Sequence, residues 1–276
     1  MVRRIGIIGP ENSHVDHFIR FLNAEQRHPG NGVSTLVGEP SERIDQLSAA
    51  GSIDDVVARP EDLIGRVDAA IVCNRDGGLH RPAAEPLLAA GIPVLVDKPL
   101  ATTTGDAEAL IKAAERGGVP LVSFSALRFA PEVAPLEARH LVITGPADPA
   151  SEYAGLFFYG IHHVETAFEL LGNPDVADPE VSVRQAGDTT VASVLLGDTA
   201  VTFAFVVPRG DKRVPFHLQV VTDDAITARE ITLGPDYNAP ALARFIDACD
   251  SGVAPLDPPA LVAPVAVLAA IEAALP

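Results

Sequence analysis

A chain of 276 residues that is 47% hydrophobic, with a formal net charge of −17, can bury two cores and is too apolar to be disordered throughout. That acidity argues against nucleic acid and anionic membrane as partners, since both need a basic footprint. The most apolar segment, residues 260–275, contains Pro264 and Glu272 and is too short to span a bilayer. The apolar run after Arg3 and Arg4 is too short for the core of a secretory leader, and Cys73 and Cys249 lie far apart. The chain therefore reads as a cytoplasmic, reduced protein.

Residues 4–125 alternate strand and helix. Short apolar runs predict strands at Arg4–Gly9, Val33–Gly38, Ala69–Cys73, Pro93–Asp97 and Leu121–Ser125. Helices are expected between them, over Ser13–Glu25, Ser41–Ala50, Leu79–Ala90 and Thr103–Arg116, with glycines stopping two of them. Repeated β-α-β of this kind is α/β architecture, a doubly wound parallel sheet of Rossmann type. From about Ala126 the pattern changes to strands separated by turns: Val181–Arg184, Thr190–Leu196, Ala200–Val207, Phe216–Thr222 and Ala228–Leu233. Helices near Ala239–Ser251 and Pro259–Leu275 close the chain, and residues 145–155 read as a mobile loop. The expected organisation is one domain over 1–125 and a second, α+β domain with a mainly antiparallel sheet over 126–276. Val201, Phe203 and Phe205 share one strand face and, with the apolar run 191–196, offer a flat surface that predicts a homodimer or homotetramer.

Residues 5–18, "IGIIGPENSHVDHF", begin as a dinucleotide-binding turn does and then depart from it. The fingerprint G-x-G-x-x-G would put glycines at 9, 11 and 14, where the chain has Gly9, Glu11 and His14. Gly9 keeps the tight turn. Glu11 stands where backbone would approach a pyrophosphate, and two unit charges ~4 Å apart repel by roughly 1–4 kcal/mol. Asn12 tolerates a left-handed turn and Ser13-x-x-Asp16 has the pattern of a capping box, so a helix start able to receive an anion is expected. Alternatively, Glu11 itself satisfies the positive helix end. Glu39, closing the second strand, can hold ribose hydroxyls and disfavour a 2′-phosphate, whereas Ser41 and Arg43 can do the opposite. The candidate cofactor is NAD or NADP, leaning to NAD, with Gly9, Pro10, Asn12, Ser13 and Glu39 as contacts.

The basic residues are 17 arginines and three lysines, Lys98, Lys112 and Lys212. Lysine can be tuned to lose its proton and arginine cannot, so each lysine is a candidate for chemistry. In "VLVDKPLATT" an apolar strand ends in Asp97-Lys98-Pro99 at the carboxyl edge of the sheet, where ligands of open α/β folds bind. Pro99 keeps the backbone extended and helps aim Lys98, which is expected to be half-exposed.

The "DKPLA" run resembles the E-K-P signature of the glucose–fructose oxidoreductase / inositol dehydrogenase (Gfo/Idh/MocA) family, with Asp97 in place of Glu. "ALRFAPEV" is similar to its R-[FY]-x-P segment, and "YGIHHVETAFELLG" to the G-x-H-x-x-D helix that opens its second domain, with Gly160, His162 and Glu165. The resemblance implies a nicotinamide-dependent oxidoreductase acting on a sugar, polyol or similar small molecule, in which Lys98 and His162 move the proton. It also implies Asn74, His80 and Lys98 as cofactor contacts, and Arg128, Tyr159 and His163 as substrate contacts. The family's Asp-x-x-x-His pair is incomplete, because the Asp position is Phe158. Tyr159, His163 or Glu165 could replace that carboxylate in orienting the histidine.

His14-x-x-His17 and His162-His163-x-Glu165 invite a metal reading, but neither has a known zinc spacing, and no metal is expected. The rival to the enzyme is a non-catalytic ligand-binding or regulatory relative, for which the altered loop and Phe158 argue. A third reading keeps the cofactor and reduces an imine or enone, where no alcohol-deprotonating pair is needed.

Overall fold

Strands buried on both faces need unbroken apolar runs, and the computed structural model, which describes residues 2–176 and 178–276, forms its first sheet from such runs. The strands are β1 (Arg3–Ile8), β2 (Asn31–Val37), β3 (Asp55–Val57), β4 (Ala69–Val72), β5 (Val94–Val96) and β6 (Leu121–Val122). They lie in the order β3-β2-β1-β4-β5-β6, with every neighbouring pair parallel. The chain winds outward from β1 to β3, then returns to place β4 beside β1. The carboxyl ends of β1 and β4 therefore form a topological switch point, the place where open α/β sheets bind ligands.

The helices between these strands are α1 (His14–Ile19), α2 (Glu42–Gly51), α3 (His80–Ala89) and α4 (Thr104–Gly117). The single helix expected over Ser13–Glu25 is instead α1 followed by a π-helical turn, Arg20–Ala24. On that wide turn Asn23 donates to Val33 O and Gly51 O and accepts from Val33 N, each at 2.8 Å. Its amide thus serves β2 beside Ser34, where the β1–β2 register slips.

The second compact unit holds β7 (His140–Pro146), α5 (Gly160–Leu170), β8 (Val181–Ala186), β9 (Thr189–Leu196), β10 (Thr199–Val206), β11 (Phe216–Val221) and β12 (Ile226–Ile231). Its sheet has the order β12-β11-β7-β10-β9-β8 and is antiparallel except where β10 pairs with β7. Helix α6 (Ala239–Ser251) belongs to the first unit, where it packs on α1, β5 and β6 and Asp250 pairs with Arg3. Helix α7 (Pro258–Ala273) returns to the second unit and packs on α5. Among the described residues, no helix is long and apolar enough to cross a membrane.

The face of β10 chosen as an oligomer surface is corrected by the structure. Val201, Phe203 and Phe205 are at most 1% exposed, because α5 lies over that face and completes the unit's own core. His163 on α5 enters the same core. Its ring stands edge-on to Phe205 and Phe216, at centroid distances of 4.8 and 5.2 Å. Burial pushes its pKa down to about 4, against the upward pull of the Gly145, Tyr159 and Gly160 backbone.

A histidine whose folded pKa lies below its unfolded value of about 6.5 stabilises the fold only while neutral. Its contribution is complete above the unfolded value and is lost as pH falls toward the folded one. We expect about 3 kcal/mol of stability to disappear between about pH 6.5 and 4 through this group alone. Urea unfolding across that range should show a shallower loss in His163→Phe than in the wild type. Parallel curves would mean that His163 does not titrate in this way.

Candidate active site

In the first unit, β1 ends at Gly9, whose φ is +82°. A Cβ there would lie 2.3 Å from Asn74 N and 2.6 Å from the Cys73 carbonyl carbon. Only glycine satisfies both the left-handed backbone and this approach. Asn12 does not take a left-handed conformation, since Gly9 supplies the turn. The buried Asn12 side chain instead accepts from His14 N at 3.0 Å and donates to Asp97 Oδ2 at 3.4 Å.

The expected capping box is absent: Ser13 makes no side-chain cap, and Asp16 turns to Arg43. Arg43 also donates to Pro10 O at 2.9 Å and Asn12 O at 3.4 Å, bracing the loop from outside. Glu11 does not satisfy the helix end. Its carboxylate accepts the Arg75 N–H at 3.1 Å and so reaches across to the loop that follows β4. Ser41 caps α2 by accepting from Ile44 N at 3.3 Å, and Glu39 is exposed past the end of β2.

Asp97 and Lys98 follow β5, and both are buried, at 7% and 6% exposure. Lys98 is therefore not half-exposed, as the loop position alone suggested. Burial on its own would raise the Asp97 carboxyl. His14, Lys98 and His80 outweigh it and hold Asp97 well below the usual carboxylate range. The nearest of these partners is His14 Nδ1, at 2.8 Å from Asp97 Oδ2. Histidines 14 and 17 diverge in their bonding, His17 Nδ1 meeting the Asn238 amide nitrogen at 3.2 Å.

His80 is fully buried between Pro99 O (2.6 Å from Nδ1) and Asn74 O (2.8 Å from Nε2). Burial lowers its pKa while those two carbonyls oppose the shift. Both ring nitrogens face protein carbonyls, so His80 ties the loops after β4 and β5 together. Asn74 Oδ1, in contrast, is buried with no hydrogen-bond partner among the described residues. An orphaned acceptor beside the Gly9 turn is what a nicotinamide dinucleotide could satisfy. Gly9, Pro10, Asn12, Ser13, Asn74 and Lys98 are the residues that could hold one, and the Glu11 carboxylate is bonded to Arg75 N.

In the second unit, three predicted substrate contacts separate. Arg128 is 1% exposed in its side chain and donates to Glu165 Oε2 (2.7 Å), Glu169 Oε2 (3.0 Å) and Asn173 Oδ1 (2.8 Å). Arg128 is thus committed to a buried ion pair, and His163 lies in the core. Tyr159 is 41% exposed, next to His162, their ring centroids 5.7 Å apart. The His162 ring also stands edge-on to Phe216 at 5.7 Å. Phe158, at the place of the family's Asp, packs against Tyr153 and Tyr159 at 4.8 and 4.9 Å. The polar partner of His162 is Ser125, whose hydroxyl lies 2.7 Å from Nδ1. Glu165, a candidate for that role, is committed to Arg128 and to Ser125 N. Ser125 and the His14–Asp97 contact carried no signal in the sequence, because residues 37 and 83 positions apart share no periodicity.

Residues 3–124 match the model of the GFO_IDH_MocA family, an oxidoreductase family with an NAD-binding Rossmann fold. Over 214 residues the chain is 29% identical to inositol 2-dehydrogenase 2 of Saccharopolyspora erythraea, covering 76% of this chain and 58% of that protein. The chain thus spans less than two thirds of that relative's length. Its fold is similar to that of GenD2 from gentamicin A biosynthesis, solved in complex with NAD, with a TM-score of 0.81 at 18% identity over 99% of this chain and 94% of that one. It is also similar to KijD10, a 3-ketoreductase from Actinomadura kijaniata solved with NADP, with a TM-score of 0.75 at 18% identity over 100% of this chain and 97% of that one. Residues 3–124, the stretch that matches the GFO_IDH_MocA family model, run from β1 past β6 and so take in the whole parallel sheet.

Proposed function

We propose that the chain is an NAD(P)-dependent oxidoreductase acting by hydride transfer on a sugar, polyol or related small hydroxylated molecule in the cytoplasm, with Lys98 and His162 in acid/base roles. When bound, the nicotinamide supplies the hydride acceptor or donor. The observation that carries this reading is the switch-point loop, where the Gly9 turn, the unsatisfied Asn74 Oδ1 and buried Lys98 lie on one sheet edge. Glu39, just past the end of β2, and the commitment of Arg43 to Asp16 both favour NAD over NADP. A homodimer or homotetramer belongs to the same reading. The outer face of the second sheet aligns Ile226, Val221, His140, Ala200 and Leu195 in one row, with Ile226 and Leu195 at 70% and 65% exposure.

The second reading, a relative that binds ligand without hydride transfer, is favoured by Phe158 and Glu11. Titration with NADH and NADPH, followed by nicotinamide fluorescence, separates the two. NADH is expected to bind, and more tightly than NADPH. Failure of both to bind would sink the enzyme reading.

Because Glu11 bonds Arg75 N and is turned from the loop, its repulsion of a pyrophosphate sits at the weak, solvent-screened end of the Coulomb range. Glu11→Gln keeps an acceptor for Arg75 and removes the charge. It should tighten NADH by about 1 kcal/mol, read as a ~5-fold lower Kd. An unchanged Kd would mean that the dinucleotide does not pass this loop.

Lys98→Arg keeps the charge but not the ability to give up a proton. Turnover should fall about 100-fold or more, the scale of general acid–base catalysis. The site is buried, so the larger guanidinium should also cost roughly 1–3 kcal/mol of stability. Turnover is therefore compared at equal folded fraction, measured by urea unfolding. Wild-type turnover in the folded variant would remove Lys98 from the chemistry.

A further inference from the structure

His162 Nδ1 and Ser125 Oγ are 2.7 Å apart, and the direction of that hydrogen bond is set by what else Ser125 meets. The same oxygen receives the Leu127 N–H at 3.2 Å. Ser125 is fully buried, and its hydroxyl has no further partner among the described residues. A backbone N–H can only donate, so it occupies a lone pair on the oxygen. Were Nδ1 also to donate, the hydroxyl hydrogen would be buried among the described residues with no acceptor, an arrangement that folded proteins avoid. The reverse polarity satisfies all three groups: Ser125 accepts from Leu127 and gives its hydrogen to the Nδ1 lone pair. Ser125 is held in that pose from behind. Its own N–H donates to Glu165 Oε2 at 2.7 Å, and Arg128 fixes the same carboxylate oxygen at 2.7 Å.

We propose that Ser125 is a positioning residue that fixes the neutral imidazole of His162 as its Nε2-protonated tautomer, so that His162 serves substrate as a hydrogen-bond donor and not as a lone-pair base. Which ring nitrogen carries the proton follows from the bond the other one makes. Any substrate group served by His162 must then be an acceptor, a carbonyl or hydroxyl oxygen. A neutral imidazole donating to a carbonyl oxygen polarises it without needing to be charged. Taking a proton from an alcohol falls to another group, and Lys98 is the one the proposed function supplies. The meaning for catalysis rests on that proposed function, whereas the protonation pattern does not.

The pattern can be read on the full chain, without nucleotide or substrate, by isotope-labelling histidine and recording a long-range proton–nitrogen correlation spectrum. His162→Gln identifies the signal by its loss. In the wild type we expect a protonated Nε2 and an unprotonated Nδ1 shifted upfield by the hydrogen bond it accepts. Ser125→Ala should return Nδ1 to the position of a bare ring nitrogen, and Ser125→Thr, which keeps the hydroxyl, should hold it near the wild-type value. A protonated Nδ1 in the wild type overturns the proposal, as does an Nδ1 position unmoved in folded Ser125→Ala. Where Ser125→Ala fails to fold, the wild-type tautomer decides alone. Since the spectrum needs no nucleotide, a failure of NADH to bind would count against the proposed function and leave this result standing.

Discussion

The first unit depends on one close approach, between the backbone of Gly9 at the end of β1 and the backbone of Asn74 after β4. Any Cβ at position 9 would fall within 2.3 Å of Asn74 N. The approach fixes the two strand ends on either side of the switch point, and the groups around it are hung from that pair. His80 bonds Asn74 O on one side and Pro99 O on the other, which carries the constraint from β4 to the segment holding Lys98. Glu11 bonds Arg75 N and carries it back to the loop of β1. Lys98 is thus located by backbone packing three contacts away from its own side chain.

Around that contact, side chains do work that glycines do in the unaltered fingerprint. The missing second glycine is replaced by a carboxylate that finds a backbone donor, and the missing third by His14, which finds Asp97. A buried carboxylate without partners would be costly, and burial alone pushes Asp97 toward the protonated form. The imidazole of His14 at 2.8 Å, with Lys98 and His80, reverses the balance. Removing His14 would therefore take away the hydrogen-bonded partner of Asp97 and leave Lys98 to offset more of the cost of its burial. The loop holds its helix start with Arg43 in place of a capping box.

Much of this fold was legible in the sequence, for a reason particular to its layers. The strands of the parallel sheet are buried on both sides and read as apolar runs, and β9 and β10 show the alternation of a sheet with one covered face. Strand β3 was missed because three residues are too few to show a period, and β7 because Gly145 and Pro146 at its end read as a turn. Alternation also shows that Phe203 and Phe205 share a side without saying which side is covered. The core claimed them, and the surface row fell to Ala200 and Leu195. Helix α6 shows an apolar stripe that names no partner, so its return to the first unit was invisible. Asp16 was read as half of a capping box because spacing cannot see Arg43 arriving from α2.

The surroundings of positions 97 and 158 differ in polarity. Around Asp97 stand the groups that stabilise an anion: an imidazole, an amide and an ammonium. Around position 158 stand Tyr153 and Tyr159, and His162 nearby is flanked by Tyr159 and Phe216. The one buried arginine in that neighbourhood is already matched by Glu165 and Glu169. A carboxylate set among these rings would carry a desolvation cost that an aromatic side chain does not. A partner for His162 in such surroundings has to be neutral, small and able to donate. The Ser125 hydroxyl, already anchored by its own backbone to Glu165, meets all three conditions.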